Sequence, residues 1–106
     1  MDELNEQQPL DFKLGSEAGG VPVLSLSGEL DIATVDRLDE PMAPVLASRP
    51  QRLIVEVSDL DFADSSAIAK LLVWSQSVGE MELRGASPLL RRVVATMGLE
   101  GRLHLT

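Results

Sequence analysis

The order of apolar and polar positions divides the first part of the chain into short strands. Residues 10–14 alternate between apolar and polar side chains, residues 21–27 form a second strand candidate with apolar residues on both sides, and the segment 15–20 between them is rich in glycine. Two strands joined by a short glycine-rich link are typical of an antiparallel hairpin. Residues 52–57 form an apolar run with several β-branched side chains, which predicts a buried strand.

Between these strands the apolar residues recur at helical spacing. The pattern predicts a helix over residues 32–48, with Asp31 as its N-cap, because a carboxylate accepts hydrogen bonds from the free N–H groups at a helix start. Pro41 and Pro44 each lack a backbone donor and crowd the preceding turn. We therefore expect a kink or break near residues 39–41.

Strands and helices continue to alternate in the second half of the chain. Residues 65–78 and 87–97 have helical periodicity, whereas residues 80–84 and 102–105 are short alternating runs. This alternation predicts an α/β fold, with four to five strands in one mixed sheet and helices packed mainly on one face. The residues predicted to be buried are Leu53, Val55, Val57, Ile68, Leu71 and Leu72.

A chain of 106 residues is long enough for one domain. We place this domain at residues 10–106, after a polar segment, residues 1–9, that we interpret as a flexible tail. Cysteine is absent, which excludes a disulfide, a thiol nucleophile and a cysteine metal site. The N-terminus is acidic and has no signal peptide, and no apolar run approaches the ~18 residues that span a bilayer. We therefore expect a cytoplasmic protein without membrane insertion.

The net charge of −8 is unevenly distributed. Residues 1–64 carry a net charge of −10 and residues 65–106 a net charge of +2. An acidic protein repels the phosphates of nucleic acids, so we do not expect DNA or RNA to be a partner. The charge favours a basic protein partner, although surface acids also serve simply to keep a small domain in solution.

The candidate site lies where the predicted buried strand gives way to a helix. Residues 61–72 begin with two aspartates, and Asp64 is followed directly by Ser65 and Ser66. Aspartate and serine both cap helix N-termini, and the dipole of the helix behind them favours an anion. The segment is therefore either a plain helix cap or a cap that presents a hydroxyl for phosphorylation.

Other chemistry has little support in the residues. His104 is the single histidine and has no neighbouring acid in sequence, so we interpret it as a surface residue. Asp59, Asp61 and Asp64 could suggest a metal site, but they lack the glycine-containing spacing of a calcium loop. Ser65 lacks the glycine-flanked turn of a hydrolase nucleophile, and no phosphate-binding glycine loop exists. We expect neither an enzyme, nor a metal, nor a cofactor.

Three segments in this order resemble the STAS family, which includes the bacterial anti-sigma factor antagonists. Residues 61–72, after their strand, resemble its phosphoacceptor segment. Residues 26–31 contain the Gly-Glu-Leu-Asp sequence that follows a strand in the family, and residues 86–99 resemble its last helix. Together the three segments cover the chain from about Val21 to its last residue, and they imply a single STAS-like domain.

The resemblance implies partner switching in the control of transcription, as in a stress response. The unmodified family member binds an anti-sigma factor, itself an ATP-dependent serine kinase, and so frees a sigma factor. The kinase phosphorylates the serine after the motif aspartate, here Ser65, with Ser66 as the alternative, and a serine phosphatase resets the domain. The free domain is expected to be a monomer. The expected partner-binding residues are Gly28, Glu29, Asp31, Asp61, Asp64, Ser65, Ser66, Ala67, Ala69 and Lys70.

The chain differs from the family pattern after the two serines. Ala67 and Ala69 stand where the family usually has glycine, so methyl groups replace bare backbone near the expected partner surface. This difference leaves a second hypothesis, a STAS binding module that regulates a membrane transporter or a lipid-transport complex without being phosphorylated. A third hypothesis is a degenerate domain of a sensor complex.

Overall fold

Five strands form one mixed sheet in the order in which they occur along the chain. The computed structural model describes residues 10–106; the predicted tail, residues 1–9, lies outside them. The strands are β1 (Leu10–Glu17), β2 (Val21–Leu30), β3 (Arg52–Ala63), β4 (Glu80–Arg84) and β5 (His104–Leu105). β1 is antiparallel to β2, and the other neighbours pair in parallel. The predicted mixed α/β sheet is confirmed.

Three α-helices connect the parallel strands: α1 (Asp39–Ala47), α2 (Ser65–Ser75) and α3 (Pro88–Thr96). Each parallel connection steps to the next strand in the same direction. Because such crossovers are right-handed, all three helices pack against the same face of the sheet. The apolar side chains of that face and of the helices form one core.

The helix predicted over residues 32–48 begins later than expected. A 3₁₀ turn at Val35–Leu38 precedes α1, so the break falls before Asp39. Pro41 occupies the first turn of α1, where a backbone N–H would have no partner within the helix, and the helix therefore starts just ahead of it. Asp31 caps a tight turn and not a helix, since its carboxylate accepts from Ala33 N at 3.0 Å.

β3 is twice as long as predicted. The sequence predicted a strand at residues 52–57, but the strand continues to Ala63, which pairs with Leu30 at the end of β2. Two register shifts accommodate this pairing, opposite Ser25–Ser27 and opposite Gly28–Glu29 of β2, and at each of them β3 contains one extra residue. β-Bulges of this kind bend and twist a strand locally, which helps the end of β3 to follow β2.

The buried stripe of α2 differs slightly from the predicted one. Leu72 is only half-buried, whereas Trp74 is 3% exposed and belongs to the core. The other predicted core residues are buried: Leu53, Val55, Val57, Ile68 and Leu71. α2 also ends at Ser75 and not at residue 78.

The face of the sheet without helices carries an ionic network around Glu82. Glu82 is 5% exposed, and its carboxylate accepts from Arg84 Nε at 3.2 Å and Thr106 Oγ1 at 2.8 Å and pairs with Arg52. Arg84 also lies 3.1 Å from Glu17. The hydrogen bond to Glu17 is the largest cause that raises the pKa of Arg84 above its usual value, and the hydrogen bond to Glu82 is the second. Ile54, which pairs with Glu82 in the neighbouring strand, is fully buried on this face although no helix covers it.

Candidate functional site

The site forms where the carboxyl ends of β2 and β3 meet the start of α2. The two strands pair in parallel up to Leu30 and Ala63, and the backbone N–H of Asp64 donates to the Leu30 carbonyl at 3.3 Å. This pairing brings residues 28–31 to the same end of the sheet as residues 61–66. The carboxyl edge of parallel strands is where open α/β sheets commonly bind partners and ligands.

Asp64 is the N-cap of α2. Its Oδ1 accepts from Ala67 N at 3.1 Å, and its Oδ2 accepts from Ile32 N at 3.2 Å. Ser65 is consequently the first residue of the helix and not the cap itself, and it is exposed to solvent. Ser66, in the same first turn, is half-buried. The carboxylate thus joins the loop after β2 to the helix that carries both serines.

The loop after β2 is held by a hydroxyl that the sequence analysis did not identify. Thr34 is 2% exposed, and its Oγ1 accepts from Asp31 N at 3.0 Å. The same oxygen lies 2.9 Å from the carbonyl of Glu29 and 3.2 Å from the carboxylate of Asp31. Aspartate followed three residues later by threonine is the sequence signal that indicates such a turn. The Asp31 carboxylate is therefore bonded within its own loop.

The expected partner-binding residues differ in their exposure. Glu29, Asp61, Ser65 and Ala69 are exposed, whereas Gly28, Asp31, Asp64 and Ser66 are half-buried. Ala67 is fully buried and belongs to the core, so its methyl group does not reach a partner surface as expected. Of the two alanines that replace family glycines, only Ala69 places a methyl group on the surface.

Lys70 makes its contacts within the molecule. Its Nζ lies 2.6 Å from Asp39 Oδ1 and 3.4 Å from Asp36 Oδ1, and its side chain is 22% exposed. The hydrogen bond to Asp39 is the main cause that raises the pKa of Lys70. Lys70 therefore ties α2 to the segment before and within α1, a role that its sequence position alone did not indicate.

Three exposed apolar side chains belong to segments that follow or end strands at the same end of the sheet as the serines. Ile32 is 76% exposed, Phe62 is 45% exposed and Leu89 is 58% exposed. Phe62 and Leu89 line a small cleft between the end of β3 and the start of α3. Hydropathy patterns assign apolar residues to a core by default, so the sequence alone does not indicate that these three are exposed.

The single histidine belongs to a strand that is remote from Ser65 in the order of the sheet. His104 lies on β5, two strands away from β3 in the sheet. No group of three or more His, Asp or Glu side chains in this part of the chain is arranged to hold a metal ion. Among the helices of the same residues, none has the length and apolar character needed to cross a membrane.

The chain is similar to known proteins over most of its length. Residues 15–106 match the family model described as Mlab, STAS domain. The anti-sigma-F factor antagonist RsfB of Mycobacterium tuberculosis is 30% identical over 93 residues, which cover 85% of this chain and 76% of that protein.

Two solved structures have the same fold. The crystal structure of an anti-sigma factor antagonist from Mycobacterium paratuberculosis superposes with a TM-score of 0.80 at 25% identity, covering 91% of this chain and 84% of that one. The anti-sigma factor antagonist SpoIIAA in its unphosphorylated form superposes with a TM-score of 0.76 at 24% identity, covering 91% and 88%.

Proposed function

Because the chain belongs to the STAS-domain family, we propose that it is an anti-sigma factor antagonist that is switched off by phosphorylation of Ser65. In this proposal the unmodified domain binds an anti-sigma factor and so releases a sigma factor. The domain itself is not an enzyme. It acts as a cytoplasmic monomer, has no nucleic acid partner, and is returned to its binding form by a serine phosphatase.

The observation that carries this proposal is the position of Ser65. Its exposed hydroxyl is on the first residue of a helix whose cap is provided by the preceding residue, Asp64. The Ser65 hydroxyl therefore has no capping role to lose when it is modified. The N-terminus of α2 also favours a negative group through its dipole and free N–H groups. These properties support Ser65 over Ser66, which is half-buried.

The chemistry of the switch belongs to the partner kinase. The γ-phosphoryl group of ATP is transferred to Ser65 Oγ, the hydroxyl proton passes to a base of the kinase, and ADP leaves. A docked kinase must hold the nucleotide phosphates against Ser65 for this transfer. After the transfer, a phosphoserine of about −1.5 to −2 charges would face those phosphates and would lose its hydration in the interface. Both effects oppose rebinding.

The acids of this end of the domain act in the same direction. Asp61 is exposed close to the modified serine, and Asp64 directly precedes it. Like charges in one desolvated interface weaken the complex, and the weakening falls as salt screens them. Release should therefore require no unfolding of α2.

A second candidate function has two observations in its favour. The matched family model is described as Mlab, STAS domain, and Ala69 places a methyl group on the exposed face of α2 near the serines. The alternative is a STAS binding module that regulates a membrane transporter or a lipid-transport complex without phosphorylation. In that case the Ser65 hydroxyl would be a surface group only.

A labelling experiment distinguishes the two functions. The purified domain is incubated with radiolabelled ATP and each recombinant anti-sigma factor kinase from the genome that encodes this chain. We expect one kinase to label the wild type and the Ser66→Ala variant but not the Ser65→Ala variant, which should stay bound to that kinase. Labelling that survives in Ser65→Ala and is lost in Ser66→Ala would move the site. If no kinase labels the domain and none binds it, that result would favour the second function.

A further inference from the structure

We propose that Ile32 is the apolar anchor of the partner-binding surface and that Asp64 is the positioning residue that holds it beside Ser65. This inference rests on the proposed function and specifies which residues of the domain recognise the anti-sigma factor. It assigns to Asp64 a role beyond capping, and it assigns a role to a residue that hydropathy alone would place in a core.

The first argument is exposure. Ile32 is 76% exposed, the largest value among the exposed large apolar residues of the described part of the chain. An isoleucine left in water gives up the free energy that its burial would provide. The few residues that dominate an interface fill well-packed pockets from which water is excluded, and a large exposed apolar side chain in a fixed place is suited to such a pocket.

The second argument is the way in which Ile32 is held. Its backbone N–H donates to Asp64 Oδ2 at 3.2 Å, while Asp64 Oδ1 caps α2 at Ala67 N. On the other side of Ile32, the loop is closed by Thr34 and Asp31. Bonds on both sides fix the backbone of Ile32 relative to the first turn of α2. A side chain positioned in advance loses less conformational entropy when a partner covers it.

The third argument concerns the partner, whose chemistry follows from charge. The exposed carboxylates of Glu29 and Asp61 lie at the same end of the sheet as Ile32. An apolar side chain bordered by acids is complementary to an apolar pocket with basic residues at its rim. We therefore assign Ile32 to such a pocket on the anti-sigma factor, with the acids contributing to the rate of association and to specificity.

Calorimetric titration of the same panel of recombinant anti-sigma factors, with ADP present so that no phosphoryl transfer occurs, tests the anchor. The variants are Ile32→Gln, Ile32→Val and a control, Met97→Gln, which changes an exposed apolar residue at the far end of α3. We expect Ile32→Gln to weaken binding ten-fold or more. Ile32→Val and Met97→Gln should bind within about two-fold of the wild type, given the usual size of such effects.

A double-mutant cycle tests the positioning role. Asp64→Asn keeps one oxygen that caps α2, but it turns an amide N–H₂ group toward the backbone N–H of Ile32. An N–H₂ group cannot accept a hydrogen bond, so the bond from Ile32 N is lost. We expect this variant to speed amide hydrogen exchange at Ile32 and to weaken binding several-fold. The same substitution made in the Ile32→Gln background should cause little further loss, because Asp64 acts through Ile32.

The outcomes separate the inference from the proposed function. If no anti-sigma factor binds the wild type, the proposed function is wrong and the inference is wrong with it. If one binds the wild type and Ile32→Gln equally, only the anchor is wrong. If the losses from Asp64→Asn and Ile32→Gln are additive, Ile32 remains the anchor and the positioning role of Asp64 is wrong.

Discussion

Replacing Glu82 should destabilise the domain more than replacing any exposed acid. Glu82 is 5% exposed, and its carboxylate has three partners, Arg52, Arg84 and Thr106. Hydrogen bonds to a charged group are worth ~1.5–3 kcal/mol each when buried. Here two of the donors belong to arginines whose side chains are 42% and 37% exposed and can turn to water, which reduces the loss.

The expected magnitude follows from this count. We expect Glu82→Ala to lower the free energy of unfolding by about 2 kcal/mol, from the bond to Thr106 and the reduced contribution of the arginine pairs. Glu82→Gln keeps one acceptor oxygen and should cost about 1 kcal/mol. Both values are a substantial fraction of the ~5–15 kcal/mol that stabilises a domain.

The effect of Glu82 should depend on pH in one direction. The pKa of Glu82 lies below its usual value of 4.5, mainly because Thr106 donates a hydrogen bond to the carboxylate. Arg84 and Arg52 lower the pKa further, whereas burial opposes the shift. Because the unfolded chain takes up the proton first, the stabilisation is fully present above the unfolded pKa. It is lost as the pH falls through the folded pKa. The difference between wild type and Glu82→Gln should therefore shrink below about pH 4.5.

Urea denaturation followed by circular dichroism, at pH 7 and in steps down to pH 3, measures this difference. Glu80→Gln is the matched control, since Glu80 is on the same strand, its side chain is 54% exposed, and it lies 4.0 Å from Arg52. We expect Glu80→Gln to change stability by less than ~0.5 kcal/mol. Equal effects of the two substitutions at pH 7, or a Glu82 effect that grows toward acid, would refute the reasoning.

Three further predictions concern the backbone and the site. Gly79→Ala should lower the free energy of unfolding, measured by urea denaturation, by ~1–3 kcal/mol, because a Cβ there would lie 2.5 Å from the Gln51 carbonyl oxygen. Gly15→Ala, whose Cβ would have nothing within 4 Å, should leave the free energy of unfolding unchanged. Equal stabilities of the two variants would contradict this. Asp64→Ala should lower stability by ~1–2 kcal/mol in the same assay through loss of the α2 cap, and an unchanged midpoint would argue against that cap. Phosphorylation of Ser65 should shift amide signals only around the start of α2 and the loop after β2, and Ser65→Asp should weaken binding less than phosphate does; widespread shifts in β4 and β5 would indicate a conformational switch instead.

Features set by local sequence were predictable. The change from β-branched residues to helical spacing marks the start of α2, and the residue types at the change indicate a cap. The hairpin of β1 and β2 followed from alternation and glycine. Its turn lies at Ala18–Gly20, where Gly19 and Gly20 have φ of +83° and +75°, values that glycine adopts readily.

Features set by distant pairing were not predictable in the same way. β3 extends to Ala63 because β2 offers it a partner, although three of its last six residues are polar. Lys70 has the spacing of a surface lysine, and only the fold brings Asp39 within 2.6 Å. The burial of Ala67 and the exposure of Ile32 also depend on where neighbouring elements lie. A single sequence contains the periodicity of each element but not the contacts between them.

The order of the strands in the sheet has a consequence for how the domain is made. Each strand pairs with the one before it in the chain, so no strand has to insert between two that are already joined. During synthesis the sheet can therefore grow by one edge as each segment leaves the ribosome. Both strands that position Ser65, together with α2, are complete once residue 75 has emerged. The segments that form the surface expected to bind the partner thus leave the ribosome before those of α3 and β5.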